Sequence, residues 1–222
     1  MLSLVLNAPS DRPLSVLCLG AHADDIEIGC GGTVLALTEQ FRNVAVDWVV
    51  FSSTAERARE ARASADAFLA AAKEKTVVVK SFRDGFFPYV GGEIKEEFER
   101  LKQACAPDLI LTHYRHDLHQ DHRLISELTW NTFRRHLVLE YEIPKYDGDL
   151  GAPNLFVPLD ESASQRKIDY ILDHFRSQGD RSWFSREVFT AILRLRGMEA
   201  GSPTALAEGF YSRKAVLGME AR

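Results

Sequence analysis

Four short apolar runs, each followed by a stretch with helical spacing, most constrain what this chain can become. Leu14 to Leu19, Val44 to Phe51, Thr76 to Val79 and Asp108 to Leu111 read as strands. Ile26 to Phe41, Ala55 to Lys73, Gly92 to Cys105 and Asp121 to Arg135 read as the helices between them. Leu14 to Leu19 is nearly continuous in apolar residues, as a strand buried on both faces should be. Alternation of this kind predicts an α/β fold, a Rossmann-like, mostly parallel sheet with helices on both faces. Val138 to Ile143 adds a strand, and residues 162–178 and 184–196 add two helices, with Gly197 to Pro203 as a break. With 222 residues and 45% hydrophobic content, a single domain over residues 1–222 can build the core.

Several function classes are disfavoured by composition. A net charge of −5 argues against a generally basic surface for nucleic acid. Cys18, Cys30 and Cys105 are too few and too widely spaced for a disulfide framework or a paired-cysteine metal site, and they read as reduced thiols of a cytoplasmic protein. The apolar opening Met1 to Leu6 is short, has no basic region before it and runs into a polar, proline-containing stretch, which makes a poor secretory signal. No segment approaches the roughly 20 apolar residues that span a bilayer.

Chemistry concentrates where strands end. His22-Ala23-Asp24-Asp25 lies between the first strand and the first helix, and open parallel sheets place ligands at such junctions. A histidine and a carboxylate in one tight turn suit a divalent metal if a third ligand arrives from elsewhere. His113, His116, His119 and His122 recur every third residue after the apolar run Leu109 to Leu111. That segment leaves a strand, crosses a loop and enters a helix, so only some of the four can be ligands. Within His119-Gln120-Asp121-His122, Asp121 near a helix start can orient a neighbouring imidazole, and His122 can point back at the first turn.

Together these residues resemble the LmbE-like, or PIG-L, family of zinc-dependent N-acetylglucosaminyl deacetylases. That family carries His-Pro-Asp-Asp after its first strand, Arg-x-x-Glu at the start of the second helix, and a later Asp-x-His-x-Asp-His. Here they stand in the same order as His22-Ala23-Asp24-Asp25, Arg57-Ala58-Arg59-Glu60 and Asp117-Leu118-His119-Gln120-Asp121-His122, within residues 14–135. Ala23 in place of proline removes a stiffening of the turn but no polar group. The resemblance implies that His22, Asp25 and His122 hold the metal, Zn2+, with Fe2+ or Co2+ compatible by ligand type. It implies that Asp24 is the general base, that protonated His119 stabilises the oxyanion with Asp121 favouring its charged form, and that Arg57, oriented by Glu60, binds sugar hydroxyls or a phosphate. The implied reaction is hydrolysis of the N-acetyl group of an N-acetylglucosamine-type sugar or glycoconjugate, releasing acetate. Lys167 with Ser177-Gln178, and Ala207-Glu208-Gly209-Phe210, resemble further family signatures.

Other residues have plainer readings. His113 and His116 fall outside the matched motif and are expected in a loop or at the rim, and His136 and His174 on helix surfaces. Residues 144–160 form the main irregular stretch. There Tyr146, Asp147, Asp149 and Asn154 are expected to shape a polar sugar pocket, against the simpler alternative of a surface crossover. Two other functions compete: a same-family metal amidase acting on another amide, and a non-enzymatic nucleotide or sugar-phosphate binder using Gly29-Cys30-Gly31-Gly32. The glycines do not follow the GxGxxG pattern and read more simply as packing positions. Assembly into an oligomer through exposed loops is compatible with the sequence.

Overall fold

The computed structural model describes residues 3–218. Seven strands form one sheet: β1 Leu14–His22, β2 Val44–Ser52, β3 Glu74–Val79, β4 Leu109–His113, β5 Leu137–Tyr141, β6 Leu155–Pro158 and β7 Ala207–Ser212. Six helices connect them: α1 Asp25–Gln40, α2 Ala55–Phe68, α3 Gly91–Ala104, α4 Gln120–Thr132, α5 Glu161–His174 and α6 Arg186–Ala200. The strand order is β3-β2-β1-β4-β5-β7-β6. β1 to β5 are mutually parallel, with Cys18 of β1 opposite Trp48 of β2 and Leu111 of β4. β7 runs antiparallel to both β5 and β6. Among the described residues no helix is long and apolar enough to cross a membrane.

Alternation along the strands divides the core in two. Val16, Cys18, Val46, Trp48, Val50, Leu109 and Leu111 pack with α1, α2, α5 and α6 on one face. Leu17, Leu19, Ala21, Val49, Phe51 and Ile110 pack with Ile94 and Phe98 of α3 and Ile125 of α4 on the other. The chain leaves β1 for β2 and β3 on one side, then returns to place β4 on the other, so a crevice opens at the carboxyl ends of β1 and β4.

Several boundaries differ from the sequence expectation, each for a local reason. Instead of running to Lys73, α2 ends at Phe68, because the Lys73 N–H donates to Val44 O at 3.0 Å and leads the chain into β3. The expected break at Gly197 is inside α6; a Cβ there would lie 2.2 Å from the Ala205 backbone, so glycine permits a close crossing while the helix continues to Ala200. Gly201, at φ 63, then ends it. The stretch 144–160 is not wholly irregular, since Leu155–Pro158 forms β6. Asn154 is a clip rather than a pocket residue: its side chain donates to Ser212 O at 3.1 Å and accepts from Ser212 N–H at 2.8 Å, bracketing the end of β7.

A buried ion pair presses against the middle of α1. Lys167 Nζ donates to Ile28 O at 2.7 Å and to Glu208 Oε1 at 2.6 Å, while Glu208 accepts from the Gly32 and Thr33 amides at 2.8 and 2.7 Å. Gly32 makes room, because a Cβ there would meet Leu159 at 2.4 Å. Gly29 likewise lies under the Tyr141 ring, 2.1 Å from where its Cβ would be. The glycines are packing positions inside a buried helix, so they form no phosphate cradle.

Candidate active site

The turn from β1 to α1 delivers His22, Asp24 and Asp25 within four residues. Asp24 holds φ at 123°, a conformation that side-chain-bearing residues rarely adopt. That strain bends the chain sharply enough for the Asp25 carboxylate to reach back and accept the His22 N–H at 2.6 Å. His122, in the first turn of α4, comes from the other side of the crevice. His22 Nδ1 lies 3.1 Å from His122 Nε2 and 3.4 Å from Asp25 Oδ2, and His122 Nε2 is 3.6 Å from Asp25 Oδ1.

Each separation is near the spacing of two ligands on one ion, with Asp25 meeting the two imidazoles through different oxygens. A tetrahedral zinc ion with bonds of about 2.0–2.1 Å separates its ligands by about 3.3 Å. His122 Nδ1 faces Asp117 Oδ2 at 2.9 Å, so this ring donates there and leaves its Nε2 lone pair facing the crevice. Burial, with His113 alongside, pushes the His122 pKa down to about 4, which keeps the ring neutral and able to ligate. Burial alone would raise Asp25, but His122, His113 and His22 hold it well below the usual carboxylate range. The residues present therefore fit a divalent cation by donor type: His22, Asp25 and His122 face one another, and the groups of closely spaced donors also take in His119, beside His22 and His122, and His113, beside Asp25 and His122.

Adjacent Asp24 behaves oppositely. Burial pushes it up to about 7, despite the Arg57 guanidinium 2.9 Å from its Oδ1. Neighbouring carboxylates driven apart in this way are suited to different tasks, one to ligation and one to moving protons.

The remaining expected residues are nearby, with altered partners. Arg57, expected on the sugar, turns its guanidinium onto Asp24 and Ala23 O, and it also reaches Ser177 Oγ at 3.4 Å. Glu60 accepts from both the N–H and the hydroxyl of Ser177, at 3.0 and 2.6 Å, so the Arg57-x-x-Glu60 pair ties α2 to the Ser177 segment. His119 caps α4 by accepting the Asp121 N–H on Nδ1 at 3.3 Å. Its proton therefore sits on Nε2. The expected charged His119 is not favoured: burial and the nearby His22 lower its pKa, and these outweigh Asp121. The Asp121 carboxylate instead accepts the Gly85 and Phe87 amides, at 2.7 and 3.1 Å, and faces His22 Nε2 at 3.2 Å.

Three participants were misplaced or missed by sequence reasoning. His113 is no rim residue: it ends β4, fully buried, its Nε2 2.9 Å from the Ala21 N and 3.1 Å from Asp25 Oδ2, and its ring stacks on His122. The signal was its position, the last residue of a strand beside the one ending in His22. Asp84 reaches His22 Nε2 at 3.0 Å from an exposed turn, with only the following Gly85, at φ 77, to mark it. Lys145 lies 2.9 Å from Asp117 Oδ2 and also pairs with Asp149, which accepts the Leu118 N–H at 2.7 Å. Asp149 is thus engaged with the 117–118 loop, whereas Tyr146 is exposed with its hydroxyl 3.2 Å from Ser182 Oγ, and Asp147 is exposed. His116 is exposed, and His136 and His174 lie outside the cluster.

Comparison with known proteins agrees with this architecture. The fold resembles N,N'-diacetylchitobiose deacetylase from Pyrococcus horikoshii, with TM-score 0.67 and 22% identity over 89% of this chain and 82% of that one. It also resembles the A40926 pseudoaglycone deacetylase Dbv21, with TM-score 0.70 and 18% identity over 93% of this chain and 100% of that one. The same fold occurs in GalB, the 4-carboxy-2-hydroxymuconate hydratase from Pseudomonas putida KT2440, with TM-score 0.69 and 18% identity over 94% of this chain and 99% of that one. Residues 17–133 match the family described as PIG-L, GlcNAc-PI de-N-acetylase. Because that match covers more than half of its 222 residues, this chain belongs to the PIG-L family.

Proposed function

We propose that the protein is a metal-dependent N-deacetylase that releases acetate from an N-acetylglucosamine-type sugar or glycoconjugate. The observation that carries this reading is the convergence of His22 Nδ1, His122 Nε2 and the Asp25 carboxylate, which meets His22 through Oδ2 at 3.4 Å and His122 through Oδ1 at 3.6 Å, with Asp24 beside them. A divalent ion held there, Zn2+ by ligand type, supplies Lewis acidity, lowering the pKa of a water and polarising an amide carbonyl. Asp24, with a pKa near 7, accepts the proton of the attacking water and returns it to the departing amine. His119 carries its proton on Nε2 even when neutral and so can donate to the oxyanion that develops on the former carbonyl. Arg57 keeps the Asp24 carboxylate from being pushed higher still and, at 16% exposure, retains a face for substrate hydroxyls.

Acetate release is the test. Metal-stripped protein restored with zinc is offered a panel of N-acetylated sugars, nucleotide sugars and glycosides. Zinc-dependent release that disappears in Asp24→Ala is the expected result. The hydratase of the same fold carries a second reading, addition of water to another substrate at the same centre. Tight zinc binding without acetate from any member of the panel would favour that reading or another amide.

A further inference from the structure

We propose that Asp121 is a positioning residue for His22, holding the β1 imidazole in its metal-ready orientation, rather than a partner that charges His119. This rests on the reading of His22, Asp25 and His122 as cation ligands. An imidazole that gives its Nδ1 lone pair to a cation must carry its proton on Nε2, and ring orientation then depends on what accepts that proton. His22 Nε2 has two carboxylates within reach, Asp84 Oδ1 at 3.0 Å and Asp121 Oδ2 at 3.2 Å.

Only one of the two is fixed. The Asp84 side chain is 73% exposed and can turn into solvent, whereas that of Asp121 is 0% exposed. Its Oδ2 also accepts the Gly85 N–H at 2.7 Å, and its Oδ1 accepts the Phe87 N–H at 3.1 Å. Two backbone donors from one turn thus fix the carboxylate plane, and Gly85 at φ 77 adopts a conformation that few other residues tolerate. His119 meets Asp121 through the main chain, its Nδ1 accepting the Asp121 N–H. On the opposite ligand the same device recurs, with Asp117 Oδ2 2.9 Å from His122 Nδ1. Asp117-x-His119-x-Asp121-His122 therefore carries two orienting carboxylates that serve imidazoles on different elements, one on α4 and one on β1.

Zinc affinity, measured by chelator competition on metal-stripped protein, separates this role from the alternatives. Asp121→Asn is expected to weaken zinc binding by about 10–100-fold, as loss of an orienting carboxylate typically does. His119→Gln and Asp84→Asn should bind zinc like the parent. Should Asp121→Asn prove unfolded by circular dichroism, Gly85→Ala, which strains the cradle and displaces its amide, should weaken zinc in the same direction but less. The proposal is overturned if Asp121→Asn keeps parental affinity and loses only turnover, if Asp84→Asn weakens zinc equally, or if a folded Gly85→Ala binds unchanged when Asp121→Asn cannot be measured. Failure of the parent protein to bind zinc would instead remove the metal-dependent reading itself.

Discussion

Two buried polar clusters in this molecule differ in how completely they are paired. Behind α1, Lys167 and Glu208 satisfy each other and three main-chain groups. Nearby Arg196 makes a two-pronged pair with Glu142 at 2.6 and 2.8 Å and reaches Glu199 and Gly151 O. In the crevice, by contrast, the single imidazole of His22 faces three carboxylates, Asp25, Asp84 and Asp121, at 3.4, 3.0 and 3.2 Å, and despite its burial they hold its pKa well above the usual value. Complete pairing suits a structural device, whereas an excess of carboxylates around one imidazole suits a site that can take a cation.

The largest test of that contrast removes the base. Asp24→Ala should lower kcat for acetate release by about 10²–10⁴-fold while zinc affinity by chelator competition stays intact. Equal loss of metal would abolish the distinction between Asp24 and its neighbour Asp25. On the paired side, Lys167→Met leaves the buried Glu208 carboxylate uncompensated and should cost about 3–5 kcal/mol in urea denaturation. Adding Glu208→Leu to Lys167→Met should recover much of that cost, and a double variant as unstable as the single one would mean that the pair is not a self-contained unit.

Metal linkage gives the next effect. With free zinc at one hundred times its Kd, the parent should gain about 2.7 kcal/mol over its metal-stripped form, and His122→Ala should gain nothing. Metal-free His122→Ala should also lose less stability than Lys167→Met, because the residues it leaves behind lacked balanced partners already. The smallest change is a gain. Asp24→Gly relieves a backbone at φ 123 and should raise stability by about 1 kcal/mol in the same denaturation assay, although turnover is lost. Destabilisation instead would mean that the Asp24 side chain contributes more to the fold than the strain takes away.

The parallel half of the sheet was legible in the sequence because β1, β2, β4 and β5 are short apolar runs and the helices between them carry regular periodicity. β6 and β7 were not legible. β6 is a four-residue edge strand, and β7, antiparallel between β5 and β6, contains Glu208 and Gly209, whose burial makes sense only once Lys167, α1 and Pro153 are in place. The ligand candidates could be read from motif order, since His22, Asp25 and His122 converge in the structure. Their partners could not: whether Asp121 faces His119 or His22 depends on the turn at Gly85, and whether Arg57 faces substrate or Asp24 depends on a bend at Asp24. Spacing along a chain does not encode such choices between nearby acceptors.

The clamp on α1 also bears on the order in which the protein is made. Glu208 and the Thr33 amide that it receives are 175 positions apart, so the helix carrying Asp25 gains its last internal partner only when β7 has been synthesised and docked. Contacts this distant in sequence form late and slowly. A nascent chain that has assembled β1 to β5 and docked α5 would hold both halves of the crevice yet leave Lys167 buried beside α1 without its counter-ion. The helix that carries Asp25 is thus pinned by a strand that contributes no donor to the crevice, which ties the setting of α1 to completion of the sheet.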